Sequence, residues 1–435
     1  MNLEKRFVDF MNRHYKGDEQ LLLGLSGGPD SLALFHLLQK YGISFAVAHV
    51  DHGWRAESGE ESLILRKLAE DNGHPFYEKK LQGVLTEAAC REERIKFFSE
   101  LLFKYHFKAV VLGHHRDDQL ETVFKRILEG ASLTNIGGMG EVSTLNGMQV
   151  WRPLIKVEKK EILSWIEKQN LKPFFDSTNH DTQYLRNRMR KKILPNLSAV
   201  FGKEIDNSIL HLGEESKEIQ FFLNQHLAPI LNTIESSSLG YFLDLNPYLP
   251  LTPFELKYLI KTFCKKAQWI PSREMVETAA DLIQKGASNK ELIGGSNRLY
   301  IDRKRLFLAK RMEKMPSETQ SLIDSMDYGP WKISLKEGLS LEGDTCWKGA
   351  WKGKMRVILP RNSYSIGPSR TPKISKWWNN HKIPAFLGST VPAIWHQGTL
   401  VHEFLTGKKL TPQIQTQDLI EVTLLHNSIE NESFM

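Results

Sequence analysis

Gln20-Leu21-Leu22-Leu23-Gly24-Leu25-Ser26-Gly27-Gly28-Pro29-Asp30-Ser31-Leu32-Ala33-Leu34-Phe35 is the stretch on which the reading of this chain turns. Gln20 to Leu25 is a short, nearly continuous apolar run, the pattern of a parallel strand buried on both faces. It passes directly into Ser26-Gly27-Gly28-Pro29-Asp30-Ser31, and Leu32 to Phe35 then opens an apolar helix. A glycine pair lets the backbone approach an anion closely. The helix behind it aims unpaired N–H groups at the same point, and the Ser26 and Ser31 hydroxyls add donors. The loop follows neither common phosphate-binding spacing. Ser26 interrupts G-x-G-x-x-G, and five residues after Gly24 comes Pro29 with no Lys following. Its plainest alternative is a strand-to-helix turn rich in Gly, Pro and Asp.

Working outward, Ile43 to Val50 and Lys108 to Gly113 repeat the buried-strand pattern. Arg116 to Glu129 reads as a helix, with Leu120, Val123, Phe124, Ile127 and Leu128 at i, i+3, i+4, i+7 and i+8. Strands alternating with helices predict an α/β domain with a doubly wound, mainly parallel sheet, whose ligands sit at the carboxyl ends of the strands. There the second strand ends in His49-Val50-Asp51-His52-Gly53. The later one ends in Gly113-His114-His115, followed by Asp117, Asp118 and Glu121 on the next helix. Asp118 and Glu121 are i, i+3 neighbours and share a face. Helix capping alone accounts for acids at Asp117 and Asp118, and His114 reads equally as a structural histidine. A zinc or metal-pair site from Asp51, His52, His115 and Asp118 is a further reading, which leaves the glycine loop unexplained.

The chain of 435 residues carries 58 Lys plus Arg against 51 Asp plus Glu, a formal charge of +7, with 41% hydrophobic and 25% charged residues. That composition is ordinary for globular protein and excludes a disordered or fibrous one; at roughly 150 residues per domain it suggests about three domains. Cys90, Cys264 and Cys346 lie far apart, so neither a disulfide framework nor a cysteine-rich zinc site is visible and a reducing compartment fits. Met1 to Glu19 lacks the apolar core of a signal peptide, and no apolar run nears the roughly 20 residues that span a bilayer. The expectation is a soluble, cytoplasmic protein without a membrane partner.

Three regions follow from texture. Residues 1–200 form the nucleotide-binding α/β domain, and 205–315 form a mostly helical substrate-binding domain with a strand pair around Leu292 to Leu308. Glu318 to Gly329 reads as a linker, and 330–435 as a small β-rich, basic domain. Between Trp331 and Leu410 thirteen Lys/Arg face four Asp/Glu, so the positive charge is local. The same segment holds six of the ten tryptophans, most of them expected in its core. Cations with interleaved aromatics suit nucleic acid, and Lys373, Lys376 and Lys382, near Arg370, are the expected RNA contacts.

The loop Ser26–Ser31 resembles the S-G-G-x-D-S loop of the ATP pyrophosphatases (PP-loop proteins), which cleave ATP between the α- and β-phosphates. Three further stretches, His49-Val50-Asp51-His52-Gly53, Cys90-Arg91-Glu92-Glu93-Arg94 and Gly113 to Thr122, resemble the tRNA(Ile)-lysidine synthases. Trp151-Arg152-Pro153-Leu154, Asp176-Ser177-Thr178-Asn179 and Arg186-Asn187-Arg188-Met189-Arg190 continue that pattern in order. The likeness spans about residues 20–197. It departs at Ile95, where the family usually has an aromatic residue. In the C-terminal region Ile383-Pro384-Ala385-Phe386-Leu387 is similar to the family's tRNA-binding domain, but Gly388 and Ser389 follow where an Arg is common.

The resemblance implies a ligase that adenylates the 2-oxygen of the wobble cytidine in tRNA(Ile) with a CAU anticodon. Free lysine then displaces AMP to form lysidine. It implies ATP held by Ser26, Gly27, Gly28, Pro29, Asp30, Ser31 and His52, and Mg²⁺ on Asp30 or Asp51. Asp51, Asp118 and Glu121 would form an acidic pocket for the lysine ammonium, with His115 in catalytic contact. Arg91, Arg94, Arg186, Asn187 and Arg190 would meet phosphates of ATP or RNA. Oligomeric state is open, a homodimer included. The alternatives are a tRNA-thiolating ATP pyrophosphatase, a small-molecule amide or guanidine ligase without RNA, a non-catalytic RNA-binding protein, and the metallohydrolase. Thiolation generally uses catalytic cysteines, whereas Cys90 is the only one in the first domain.

Overall fold

The computed structural model describes residues 3–51, 58–81, 86–174, 185–237, 239–310, 315–337, 346–369, 371–407 and 419–427, and the chain divides into two compact units, Met1–Phe222 and Leu223–Met435. His52, the stretch Asp176 to Asn179 and Arg370 lie outside the described residues.

The first unit opens with α1 (Leu3–His14), β1 (Leu21–Gly24), α2 (Pro29–Lys40), β2 (Phe45–Asp51), α3 (Ser58–Asp71) and β3 (Phe76–Lys80). Next come α4 (Glu87–Tyr105), β4 (Val110–Val111), α5 (Arg116–Leu128), β5 (Val142–Leu145), β6 (Met148–Trp151) and α6 (Lys159–Lys168). A helical run then joins α7 (Leu185–Arg188), one π-helical turn over Met189–Ile193, and α8 (Leu194–Phe201), before α9 (Asp206–His226). The sheet order is β3-β2-β1-β4-β6-β5, parallel throughout except for the edge strand β5.

The apolar runs are continuous because the sheet is covered twice. Leu21 and Leu23 of β1 and Phe45 and Val47 of β2 pack with α1, α2 and α6, whereas Leu22, Ala46 and Ala48 face Phe97, Phe98, Leu101 and Leu102 of α4. Having built outward through β2 and β3, the chain returns to pair β4 on the other side of β1. That reversal opens a crevice at the carboxyl ends of β1 and β4. The strand expected over Lys108 to Gly113 is regular only at Val110–Val111. Parallel backbone bonds from Lys108 to Gln20 and from Leu112 to Trp151 carry the alignment further. In α5 Leu120, Val123 and Phe124 are buried, but Leu128, expected on the same stripe, is 63% exposed because the helix outruns the elements it packs against.

The second unit begins with the end of α9 and α10 (Ala228–Leu231). It then forms β7 (Glu235–Ser237), β8 (Gly240–Asp244), α11 (Pro253–Lys265), α12 (Arg273–Gln284), β9 (Lys290–Gly294), β10 (Asn297–Asp302) and β11 (Arg305–Lys310). The strand pair expected around Leu292 to Leu308 is part of an antiparallel sheet of order β7-β8-β11-β10-β9 beside the helices. The supposed linker carries β12 (Gln320–Ser321) and β13 (Ser325–Tyr328), with Tyr328 buried in the core, so its polar residues are those of edge strands and turns. Then come β14 (Trp331–Glu337), α13 (Trp347–Lys352), β15 (Lys354–Pro360), β16 (Ser365–Pro368), α14 (Pro372–Asn380), β17 (Pro392–His396), β18 (Thr399–Glu403) and β19 (Leu419–His426). They make two four-stranded sheets, β12-β16-β17-β18 and β13-β14-β19-β15.

All six tryptophans of this region belong to its core: Trp331, Trp351 and Trp378 are buried, and Trp347, Trp377 and Trp395 pack against them. Glu403 is fully buried and anchors α14. Its carboxylate accepts from Trp378 Nε1 at 2.8 Å, from the backbone N–H of Leu405 and Thr406 at 3.0 and 3.1 Å, and from the Thr406 hydroxyl. Glu403→Ala would leave these donors buried and unpaired. We expect it to destabilise the second unit by roughly 2–4 kcal/mol, read as a lowered urea midpoint of the tryptophan fluorescence.

Candidate active site

The loop after β1 has the tight backbone its glycines allow. Gly27 takes φ +80°, and a Cβ there would collide with Phe174, whose N–H donates to Gly27 O at 2.9 Å. Gly28 caps α2, and Pro29 fills the first helical position, where no N–H is needed. Ser31 Oγ accepts from Ser26 N–H at 3.2 Å, lies 3.1 Å from Ser26 Oγ and donates to Gly28 O at 3.1 Å, closing the loop on itself. On the β4 side Gly113 passes so close that a Cβ would lie 3.0 Å from backbone atoms of Asp30 and Ser31. Backbone N–H groups and two hydroxyls thus border a cradle open to an anion, and these residues fit the phosphates of a nucleotide.

Asp30 does not stand alone. Lys159 Nζ donates to both its carboxylate oxygens at 2.7 Å, and the Lys159 N–H donates to Asp117 Oδ1 at 3.3 Å. Asp117 therefore ties α5 to the start of α6 as well as standing in a helix first turn. Lys159 is absent from the residues marked by sequence, although it follows β6 as the loops follow β1 and β4. It opens α6, and no local spacing links it to Asp30, 129 residues earlier in the chain.

His115 precedes α5; its N–H donates to Asp118 Oδ2 at 3.0 Å, and its buried ring sets Nε2 3.4 Å from Asp118 Oδ2 and 3.8 Å from Asp30 Oδ1. It thereby bridges loop and helix. Glu121 is only 3% exposed. Arg186 Nε donates to one of its oxygens at 2.9 Å and Arg190 Nε to the other at 2.6 Å, while Arg190 also reaches Asp118 Oδ1 at 3.2 Å. Burial pushes the Asp118 carboxyl up, but His115, the backbone N–H and Arg186 together outweigh it and hold it below its ordinary value. Asp118, Glu121, Arg186 and Arg190 form one cluster, and Met189 fastens the helical run by packing on Leu120 and Phe124.

Beside the cluster lies a cavity of about 400 Å³. Its charged or polar wall includes Arg91 and Arg94 of α4, Arg152, Arg186, His114 and Glu121, over a floor that includes Phe98, Leu112 and Val150. Burial, then the nearby Arg152, Arg186 and Arg94, drive His114 down to about 4 against the pull of Asp118, and its buried Nδ1 has no hydrogen-bond partner. It is neutral at pH 7. Arg152 donates to Gly140 O and Ser143 Oγ while its buried Nε is unpartnered.

The other residues marked by sequence sit elsewhere. Asp51 ends β2, buried, 3.8 Å from Lys80 Nζ and two strands from β4. Asn187 lies on α7 between the two arginine-bearing turns. Lys373 and Lys376 on α14 and Lys382 after it are exposed in the second unit. Cys90 is buried on α4, and among the described residues no three His, Cys, Asp or Glu side chains converge in a metal-binding group. No described helix is long and apolar enough to cross a membrane.

The family model described as a PP-loop domain matches residues 1–197. The chain is 37% identical over 429 residues to a tRNA(Ile)-lysidine synthase of Protochlamydia amoebophila, covering 94% of this chain and 93% of that one. It is 37% identical over 269 residues to the tRNA(Ile)-lysidine synthase of Chlamydia muridarum, covering 60% of this chain and 84% of the relative. Among solved structures, a U34-tRNA thiolase from Methanococcus maripaludis with its [4Fe-4S] cluster aligns with a TM-score of 0.42 at 19% identity, over 50% of this chain and 78% of that one.

Two outcomes are expected. Gly113→Ala must displace the loop by a few tenths of an ångström, and should weaken nucleotide use by about tenfold to a hundredfold with an unchanged far-ultraviolet circular dichroism spectrum. His114 is protonated more readily in the unfolded chain. Its contribution therefore makes stability fall as pH drops from about 6.5 towards 4. Thermal midpoints of His114→Gln over that window should fall less steeply than those of the unsubstituted protein.

Proposed function

The chain belongs to the tRNA(Ile)-lysidine synthase family of PP-loop proteins, and on that premise we propose the parts its residues take in making lysidine. It is a ligase that uses ATP to modify tRNA(Ile). The observation that carries the finer reading is the meeting, at the reversal of one sheet, of the anion cradle, the Asp118–Glu121 carboxylates and a cavity walled by both signs of charge.

In this reading the cytosine 2-oxygen attacks the α-phosphorus of ATP and pyrophosphate leaves towards Ser26–Ser31. A carbonyl oxygen is a poor leaving group, and as a phosphate ester oxygen it departs readily with AMP. The ε-amine of free lysine then attacks carbon 2, the carbon–oxygen bond to AMP breaks, and the attacking nitrogen loses a proton. Loop N–H groups and hydroxyls, with Arg91 and Arg94, stabilise charge on the phosphates. Mg²⁺, when bound, neutralises further phosphate charge, with Asp30 or Asp51 as its carboxylate.

The nucleophile is the harder problem. With a pKa near 10.4, roughly one lysine amine in a few thousand is neutral at pH 7, a handicap of about 4–5 kcal/mol. Bare carboxylates would bind the ammonium but hold its proton more firmly. Here Arg186 and Arg190 offset the charges of Glu121 and Asp118. The pocket therefore offers oxygen acceptors without a strong negative field, and the guanidiniums oppose the ammonium form. Asp118, ionised at neutral pH, is the proposed proton acceptor, with His115 holding it. The cavity floor would take the lysine methylenes, and Arg152 its α-carboxylate. The first unit is then the catalytic domain and the basic part of the second, with Lys373, Lys376 and Lys382, a tRNA-binding domain. A homodimer is compatible with this arrangement, and cytoplasm is the proposed compartment.

The direct test is labelled lysine incorporation into unmodified tRNA(Ile) with a CAU anticodon, with ATP and Mg²⁺ and an elongator methionine tRNA as control. Incorporation into the first alone, matched by AMP release, is expected; AMP release without incorporation would mean another nucleophile. Asp118→Asn should raise the KM for lysine and lower turnover by about a hundredfold or more. Unchanged values for both would remove Asp118 from the pocket.

A further inference from the structure

Arg186 and Arg190 belong to a helical run whose other end has no part in the cluster. Leu194 at the start of α8 is buried with Leu120, Phe124 and Met189. Beyond it Leu197, Val200 and Phe201, an i, i+3, i+4 stripe, turn outward; Val200 is 86% and Phe201 67% exposed. One aromatic and two aliphatic side chains in water at a helix end contribute nothing to the core. Cations flank them: Arg188 and Lys192 before them are exposed, and Lys203 after them, itself followed by the exposed Glu204, sets its ammonium 5.4 Å from the centre of the Phe201 ring. A second, smaller cavity of about 170 Å³ links this helix to the reaction centre, lined by Glu121 and Arg190 at one side and Pro195 and Ser198 of α8 at the other.

We propose that α8, with Lys192 and Lys203, is a docking strip for the unpaired nucleotides that neighbour the modified base, and that Phe201 is the surface on which one of those bases stacks. The inference rests on the reading of the chain as a tRNA-modifying enzyme, and adds to it where the rest of the anticodon loop goes. Phe201 lies eleven residues beyond Arg190, about 16 Å along a helix, a distance that a few nucleotides of single strand cover. A loop whose wobble base is drawn towards Glu121 has to lay its neighbouring bases against something apolar and its phosphates against something positive. This strip offers both in sequence order. Stacking is tolerant of base identity, so the strip holds the loop in place and leaves the choice of base to the cavity. Lys203 covers the ring in the absence of RNA, and its ammonium is freed for a phosphate when a base takes its place.

The test measures the full chain binding tRNA(Ile) by filter retention, alongside lysine incorporation at saturating tRNA. Phe201→Ala should weaken tRNA binding by about tenfold or more and leave saturated turnover within about twofold of the unsubstituted rate. Phe201→Tyr should restore affinity, whereas Phe201→Leu should not. Replacing Lys192 and Lys203 by Ala should flatten the salt dependence of log Kd by about 0.7 for each phosphate deprived of its cation. Unchanged affinity of Phe201→Ala, with unsubstituted enzyme that binds and modifies tRNA, would overturn the strip alone. Full rescue by Leu would make the interaction apolar packing and would also overturn it. A variant that lowers the molar mass in solution would show the stripe covered by a second copy of the chain, which overturns it too. If the unsubstituted enzyme neither binds nor modifies the tRNA, the functional reading falls and the strip with it.

Discussion

A carboxylate buried to the extent of Glu121 needs compensation, since an ionised acid without partners would cost several kcal/mol of desolvation. The compensation comes from far along the chain: Arg186 and Arg190 each take one oxygen. That demand dictates much of the first unit's geometry. It draws the helical run after α6 back over α5, where Met189 and Leu194 seal the contact. It keeps Asp118, on the same face of α5, under the influence of Arg190. It also makes Arg186 part of the wall of the larger cavity. The π-helical turn over Met189–Ile193 falls inside this run, where such irregularities commonly accompany functional constraints.

Opposite charges in this centre are matched pairwise instead of being left for the ligand to satisfy. Glu121 has its arginines, Asp30 its lysine, and Asp118 the guanidinium of Arg190 and a backbone N–H. Buried polar atoms without a hydrogen-bond partner remain at His115 Nδ1 in the centre, and at His114 Nδ1 and Arg152 Nε in the larger cavity's wall. Polar groups left over in a buried wall are where a substrate's own polar groups have most to add, because each bond made there relieves a desolvation already incurred. The loop and carboxylates are thus arranged to be rigid, and the cavity to be completed by its guest.

Much of this was legible because the physics is local. A continuous apolar run, a glycine pair and a proline at a helix start are each readable within a few residues, and they mark the loop, the sheet and the crevice. Asp118 and Glu121 were readable as a shared face because helical spacing determines it. The arginines were readable as a basic run, but not as partners of Glu121, since that pairing joins positions some seventy residues apart. Lys159 was invisible for the same reason: no spacing rule connects it to Asp30. Composition misled once, where Glu318 to Gly329 has the residues of a linker and forms edge strands. The tryptophans were ambiguous between core and stacking surface, and only their burial decides for the core.

The pairing of Lys159 with Asp30 also bears on how the loop is loaded. An ammonium bound to both oxygens of a carboxylate is a counter-ion already in its seat. Any other cation that comes to Asp30 must evict it, so occupancy there is a competition in which one positive charge leaves as another arrives. The displaced ammonium stays tethered close by on α6, ready to meet incoming phosphate. Emptying the site runs the same trade backwards, so Asp30 need never face the crevice as an uncompensated anion.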